Sequence, residues 1–190
     1  MTHVLRALIA GLWILWLGYW IVAARNPRET RRREGFASQL THYGPLILGG
    51  LLLGVPNMLG QDLERQFHAP TENWLWAASA LVAIGLGFSG WARVRLGGNW
   101  SAEVTVKQNH ELVRSGPYAL VRHPIYTGVL LALAGTALSI DKWRALIGLL
   151  IIAAGFLRKI VIEERFMAAE FGEAYARYRD EVPALIPFLI

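Results

Sequence analysis

Two short stretches hold most of the side chains able to do acid–base or ionic chemistry, and both border apolar runs. The first, His110 to Gly128, reads HELVRSGPYALVRHPIYTG and carries His110, Glu111, Arg114, Arg122, His123 and Tyr126. The second has Arg158 and Lys159 inside an apolar run and Glu163 and Glu164 at its end. Carboxylates bordering a hydrocarbon segment are costly unless paired or wet, and Arg122, His123, Arg158 and Lys159 are the available partners. His123 and Tyr126 stand three apart across Pro124, which suits the first turn of a helix, so both can point to one face. That helix start also offers free backbone N–H groups and a positive dipole end, suited to a carboxylate or phosphate. Binding of a charged organic group and proton transfer at His123, Glu163 or Glu164 are the chemistries on offer. The plainer reading is that Glu163 and Glu164 only mark where a helix leaves the membrane.

Several classes fall away at this level. The chain has no cysteine, which removes disulfides, cysteine-ligated zinc, iron–sulfur clusters and thiol nucleophiles. His110 and His123 lack a third ligand in metal spacing and no HExxH occurs, so no metal is expected. Neither a dinucleotide fingerprint after a strand nor a Walker loop is present, and the glycines of LGGNWS are too brief a signal to use. The net charge of +5 suggests no nucleic-acid partner, because the basic residues lie in gaps between apolar segments.

The elements that must position these side chains are membrane helices. In a chain of 190 residues, 54% are hydrophobic, and eight tryptophans and six tyrosines fit interfacial belts. Hydropathy predicts an all-α, polytopic membrane protein: one domain over 1–190, with spans at about 4–24, 43–59, 73–92, 124–140 and 145–162, and membrane lipids as its surroundings. Val4 to Ala24 also resembles a signal peptide ending at Val22-Ala23-Ala24; its weak basic flank and long apolar run favour a retained span. In the second span, Gly44, Gly49, Gly50 and Gly54 leave a thin face for a neighbour, and Pro56 suits a kink or helix end. The brief link Asp141 to Arg144 predicts an antiparallel hairpin of the fourth and fifth spans. Glu163 to Arg179 then reads as a continuous amphipathic helix, with Phe166, Phe171, Tyr175 and Tyr178 spaced by threes and fours.

The basic residues give the orientation. Fifteen of the 19 lysines and arginines fall in the loops after spans one and three and in the C-terminal tail, counted from the last turns of span five: Arg25, Arg28, Arg31, Arg32 and Arg33; Arg93, Arg95, Lys107, Arg114 and Arg122; Arg158, Lys159, Arg165, Arg177 and Arg179. Arg6, Arg65, Lys142 and Arg144 make up the other side. This predicts an N-terminus outside, with the His110 loop and the C-terminal tail in the cytoplasm. The arginine loop Arg25 to Gly35 is read as a topology signal, with an anionic-lipid patch as the alternative.

At GPYALVRHPIYTG and EERFMAAEFGEAYARYRDEVPALIP the sequence resembles the isoprenylcysteine carboxyl methyltransferase family of integral membrane methyltransferases, and more distantly the phospholipid N-methyltransferases. The likeness covers roughly 96–187. It implies S-adenosylmethionine as cofactor, held by the positions matching His110, Glu111, Leu112 and Val113, by Tyr118, by His123, Pro124, Ile125 and Tyr126, and by Glu163 and Glu164. It implies catalytic roles for Arg122, His123, Glu163 and Glu164. The family's substrate arginine, a turn before the glutamate, is matched here by Lys159 with Arg158 beside it, a departure, since lysine is a point charge where arginine is a bidentate fork. The expected activity is methyl transfer to a lipophilic acceptor such as a prenylcysteine carboxylate or a lipid amine. An NADPH-dependent reductase of sterol-reductase type and a non-enzymatic membrane scaffold are the alternatives.

Overall fold

A computed structural model describes residues 1–24, 30–68, 71–100, 105–107 and 112–187. Six helices dominate: α1 (Thr2–Ala23), α2 (Phe36–Gly54), α3 (Glu72–Leu96), α4 (Pro124–Ile140), α5 (Trp143–Phe171) and α6 (Glu173–Glu181). Outside them, two short strands, β1 (Thr30–Arg33) and β2 (Thr105–Lys107), form an antiparallel ribbon pairing Thr30 with Lys107 and Arg33 with Thr105. The all-helical expectation thus holds for every long element, and the ribbon is a small addition to it.

Three helices, α1, α3 and α5, are long and apolar enough to cross a membrane, and α4 is apolar over a shorter length. The chain is an integral membrane protein. At ~1.5 Å per residue, α5 is about 43 Å long, more than a hydrocarbon core of ~30 Å requires.

The helices pack in the spatial order α1, α3, α4, α5, α2. Glycine permits the closest approaches: a Cβ on Gly85 would meet the Gly128 carbonyl at 2.4 Å, and one on Gly135 the Ala78 carbonyl at 2.6 Å, so α3 and α4 touch backbone to backbone. Gly49 and Gly148 do the same for α2 and α5, at 2.5 Å from Gly148 O. In a bilayer the hydrophobic effect does not drive helices together, so such close packing supplies the adhesion. Polar links add to it: Trp13 Nε1 donates to Thr136 Oγ1 at 3.0 Å and Trp16 Nε1 to Ser89 Oγ at 2.7 Å, tying α1 to α4 and α3.

Three details depart from the hydropathy reading. Helix α2 begins at Phe36 rather than near Tyr43 and ends at Gly54, because hydropathy sees lipid exposure whereas FASQLTH is competent to form helix before the apolar run. Pro45 lies inside it, and Pro56 falls just past its Val55 cap. Of the four glycines proposed as a thin face, only Gly49 meets a neighbour; Gly44, Gly50 and Gly54 have open space where a Cβ would sit. The amphipathic helix after Glu163 is not continuous. It breaks at Gly172 (φ +50), a left-handed position that suits glycine, and restarts as α6.

The hairpin is as predicted. Asp141 takes a left-handed conformation (φ +56) at the end of α4, and α5 starts two residues later. At this far end His68 Nδ1 lies 2.5 Å from Asp141 Oδ1, and Arg144 Nε 2.8 Å from Glu64 Oε1. At the near end the ribbon joins the segment after α1 to the segment after α3, and β2 packs against α5.

Candidate active site

Antiparallel pairing of α4 and α5 brings the residues before Pro124 against the last turns of α5. The C-terminal tail closes over this junction: Arg122 N donates to Pro183 O at 2.8 Å, His123 N to Ala184 O at 3.0 Å, and Thr127 Oγ1 to Leu185 O at 2.7 Å. The free N–H groups expected at this helix start are therefore corrected in part, since those of Arg122 and His123 are taken by the chain's own tail.

Within the junction His123 stands between two carboxylates, Nε2 at 3.3 Å from Glu164 Oε1 and Nδ1 at 3.5 Å from Glu163 Oε2. Arg122 grips Glu164 Oε1 through Nε at 2.9 Å and Nη2 at 2.8 Å, while its Nη1 donates to the carbonyls of Arg179 and Val182. Tyr126 donates its hydroxyl to Glu163 Oε1. The rings of His123 and Tyr126 are nearly parallel, 5.7 Å apart, and Tyr126 stacks in turn on Phe156 at 4.8 Å. Lys159, one turn before Glu163, is buried with Nζ 5.6 Å from the ring centres of both Tyr126 and Tyr43.

The charges are mutually supporting. Burial pushes the Glu164 carboxyl up, but its bonds to His123 and Arg122 outweigh that and bring it down to about 2. Glu163 is lowered in the same way, burial being outweighed by its bond to His123 and the Lys159 charge. Burial alone would lower His123, yet hydrogen bonds to Glu163 and Glu164 raise it, so the imidazolium is favoured. Neither carboxylate is sealed: the side chains of Glu163 and Glu164 remain 22% and 19% exposed, against 9% for His123, so the acidic groups are the ones an incoming cation can reach.

Of the residues singled out in the sequence, Arg122, His123, Tyr126, Glu163 and Glu164 come together, with Pro124 fully buried at the first position of α4 and Ile125 beside it. Tyr118 is buried on a short 3-10 turn, Gly116–Ala119, where its carbonyl accepts from Tyr178 Oη at 2.6 Å. Leu112 and Val113 are half-buried and lead into Arg114, which pairs with Glu181 and lies 5.2 Å from the Tyr178 ring. His110 and Glu111 lie outside the described residues, as do Arg25 and Arg28. Arg158 and Lys159 separate: Arg158 is exposed, and only Lys159 turns toward the stacked rings. Sequence reasoning missed Phe156 and Tyr43. The first was within reach, standing seven residues before Glu163 and so on the same helix face; the second depends on how α2 packs.

The family model for the isoprenylcysteine carboxyl methyltransferase (ICMT) family matches residues 78–169, a stretch that holds most of α3, all of α4 and nearly all of α5. A Schizosaccharomyces pombe protein named protein-S-isoprenylcysteine O-methyltransferase is 33% identical over 116 residues, 60% of this chain and 49% of its own length. The Xenopus laevis protein of the same name is 32% identical over 177 residues, 90% of this chain and 59% of its own. The cobalt-zinc-cadmium resistance protein CzcN of Cupriavidus metallidurans is 33% identical over 117 residues, 60% of this chain and 52% of its own. The chain thus spans about half the length of the curated relatives it matches. The matched stretch carries Arg122, His123, Tyr126, Glu163 and Glu164, so the similarity to the isoprenylcysteine carboxyl methyltransferase family runs through the clustered side chains.

Proposed function

We propose that this chain is a membrane-embedded methyltransferase that uses S-adenosylmethionine and acts on a lipophilic or amphiphilic acceptor entering from the bilayer. The observation that carries the reading is the pair of partly exposed carboxylates, Glu163 and Glu164, beside a stacked ring face at the end of an apolar helix. The donor set fits the cofactor: a sulfonium and an ammonium are attracted to carboxylates and to aromatic faces. Glu163, Glu164, His123 and Tyr126 would hold it, with Tyr118, Pro124, Ile125, Leu112 and Val113 as walls and His110 and Glu111 completing them. When bound, S-adenosylmethionine supplies a methyl group on a cationic sulfur, activated for displacement by a nucleophile.

The chain's own contribution is preorganisation. Tyr126 and His123 fix Glu163, and Arg122 and His123 fix Glu164, so neither carboxylate must reorient when a cation arrives. A carboxylate acceptor, such as that of the prenylcysteine named in the relatives, needs no base, and Lys159 is the buried cation to orient it. An amine or thiol acceptor must lose a proton, and the cluster is poorly poised to take one: His123 is raised toward imidazolium, while both glutamates are lowered. The cluster therefore acts as an electrostatic cradle, and a proton acceptor, where required, comes from elsewhere.

The orientation proposed is an N-terminus outside, five spans, and the His123 junction and tail in the cytoplasm. Two contacts support it: the ribbon joins the segments after α1 and α3 at one end, and the His68–Asp141 and Glu64–Arg144 pairs join the other two connections at the opposite end. Alternation of five helices produces that sorting, and the arginine-rich loops then select the side.

The test is calorimetry on protein purified in detergent. Saturable heats with S-adenosylmethionine and S-adenosylhomocysteine are expected, and their absence from protein with intact helical circular dichroism overturns the reading. Labelled-methyl incorporation into lipid extracts would then identify the acceptor.

A further inference from the structure

Beyond Lys159, on the side away from Glu163, a second pair of titratable groups is buried without a role in the donor cradle. Glu34, between the ribbon and α2, is 7% exposed, and His42, in the second turn of α2, is fully buried. Their closest approach is 3.7 Å, from His42 Nδ1 to Glu34 Oε1. Both Glu34 oxygens and both His42 ring nitrogens lack a hydrogen-bond partner among the described residues. Buried polar groups are almost always satisfied, so a carboxylate and an imidazole left open together point to a missing polar ligand.

The pair is continuous with the donor cradle. The His42 ring lies 4.5 Å from that of Tyr43, Tyr43 lies under Lys159, and Lys159 lies over Tyr126, whose hydroxyl binds Glu163. On α5 the residues along this path, Gly155, Lys159 and Glu163, are spaced by four and share one face. A Cβ on Gly155 would stand 3.1 Å from the His42 carbonyl, so α2 and α5 are in contact where the path begins. The charges of Lys159, Glu163 and Arg158 on α5, and of Glu34, are those within electrostatic reach of His42.

We infer that Glu34 and His42 form a head-group subsite for an amine-bearing acceptor, next to the cradle for the methyl donor. This deepens the methyltransferase reading and rests on it for the acceptor's purpose. The unmet groups decide the chemistry. Glu34 offers two acceptor oxygens and a neutral His42 one acceptor nitrogen, so a primary amine or ammonium, with up to three N–H donors, satisfies more of the site than a hydroxyl can. A carboxylate head is disfavoured at this spot, because burying it against Glu34 sets like charges together without water.

The experiment uses the full chain in phosphatidylcholine nanodiscs, titrated with octylamine and, separately, octanoate, with melting temperature and S-adenosylhomocysteine binding measured on the same samples. Octylamine is expected to bind saturably, and Glu34→Gln to weaken it at least tenfold while leaving S-adenosylhomocysteine binding unchanged. His42→Gln is the second variant, expected to act in the same direction should Glu34→Gln fail to fold. Octylamine binding equal in wild type and in a folded variant overturns the subsite, whether or not the melting temperature falls, since the pair is then a structural contact. Loss of S-adenosylhomocysteine binding with amine binding intact would sink the methyl-transfer reading and leave the subsite standing. Nanodiscs containing phosphatidylethanolamine sort the source: competition with octylamine supports a lipid amine, and undisturbed octylamine binding supports a smaller amphiphile.

Discussion

At the far end of the α4–α5 hairpin, His68, Asp141, Glu64 and Arg144 repeat the composition of the near-end cluster of His123, Glu163, Glu164 and Arg122: one histidine, two carboxylates, one arginine. The far-end groups are spent on backbone. Arg144 Nη1 donates to the carbonyls of Leu52 at 2.5 Å and Leu53 at 2.8 Å, Glu64 accepts from Asn57 N at 2.7 Å, and Asp141 accepts from His68 N at 3.2 Å. They close helix ends and turns, which satisfies polar groups that the chain itself exposes. At the near end Arg122 also meets backbone, but both carboxylates are held by side chains, those of His123, Arg122 and Tyr126. Similar residue types thus serve the fold where their carboxylates accept from main-chain groups, and make a candidate site where side chains converge on two carboxylates.

The largest effect expected from that contrast is at the far end. Arg144→Met removes the partner of Glu64 and the donors to the Leu52 and Leu53 carbonyls, and each buried carbonyl left without a donor costs about 1–3 kcal/mol. A marked fall in melting temperature is expected, with S-adenosylhomocysteine affinity unchanged in the folded fraction. A proportionate loss of affinity would break the division between the two ends.

The converse variant is Glu163→Gln. It should lower melting modestly, through the lost pairing with His123 and Lys159, and weaken S-adenosylhomocysteine by about 10–100-fold, the worth of a hydrogen bond to a charged group of ~1.5–3 kcal/mol. Calorimetry reads this directly, and retained affinity would remove Glu163 from the cradle. Tyr126→Phe deletes one donor to Glu163 while keeping the ring stack, so a smaller loss is expected, about 1 kcal/mol or fivefold.

A separate effect is expected in acid. Glu164 is held at about 2 in the folded protein, below an unfolded carboxyl near 4.3, so its pairing contributes stability above roughly pH 4 that is lost as pH falls toward 2. Melting temperature should decline over that window in the wild type and less steeply in Glu164→Gln. For His123 the sign is opposite: its raised value contributes stability below an unfolded value near 6.5 that is lost as pH rises through the folded one. Equal acid sensitivity of wild type and variant would mean that Glu164 is no more tightly paired than the far-end carboxylates.

Much of this was legible beforehand. The apolar runs located α1, α3, α4 and α5, because hydropathy reports directly on lipid exposure, and Pro124 and the brief Asp141–Arg144 link fixed the hairpin. Glu163 and Glu164 stood out because carboxylates bordering an apolar helix demand partners, and Arg122 and His123 proved to be those partners. The true limits of α2 were hidden by FASQLTH, which is polar yet helical, and the break at Gly172 by an amphipathic pattern that continues through it.

By itself the sequence determined which segments are apolar, which ends carry charge and which residue types stand ready for chemistry, because these depend on composition and on spacing within one helix. Only the tertiary structure decided which partners meet. Lys159 rather than Arg158 turns inward, the tail takes the backbone donors of Arg122 and His123, and Glu34 is buried against His42 beside the same helix face. Those outcomes follow from close glycine contacts between helices distant in sequence, and no period along one helix records them.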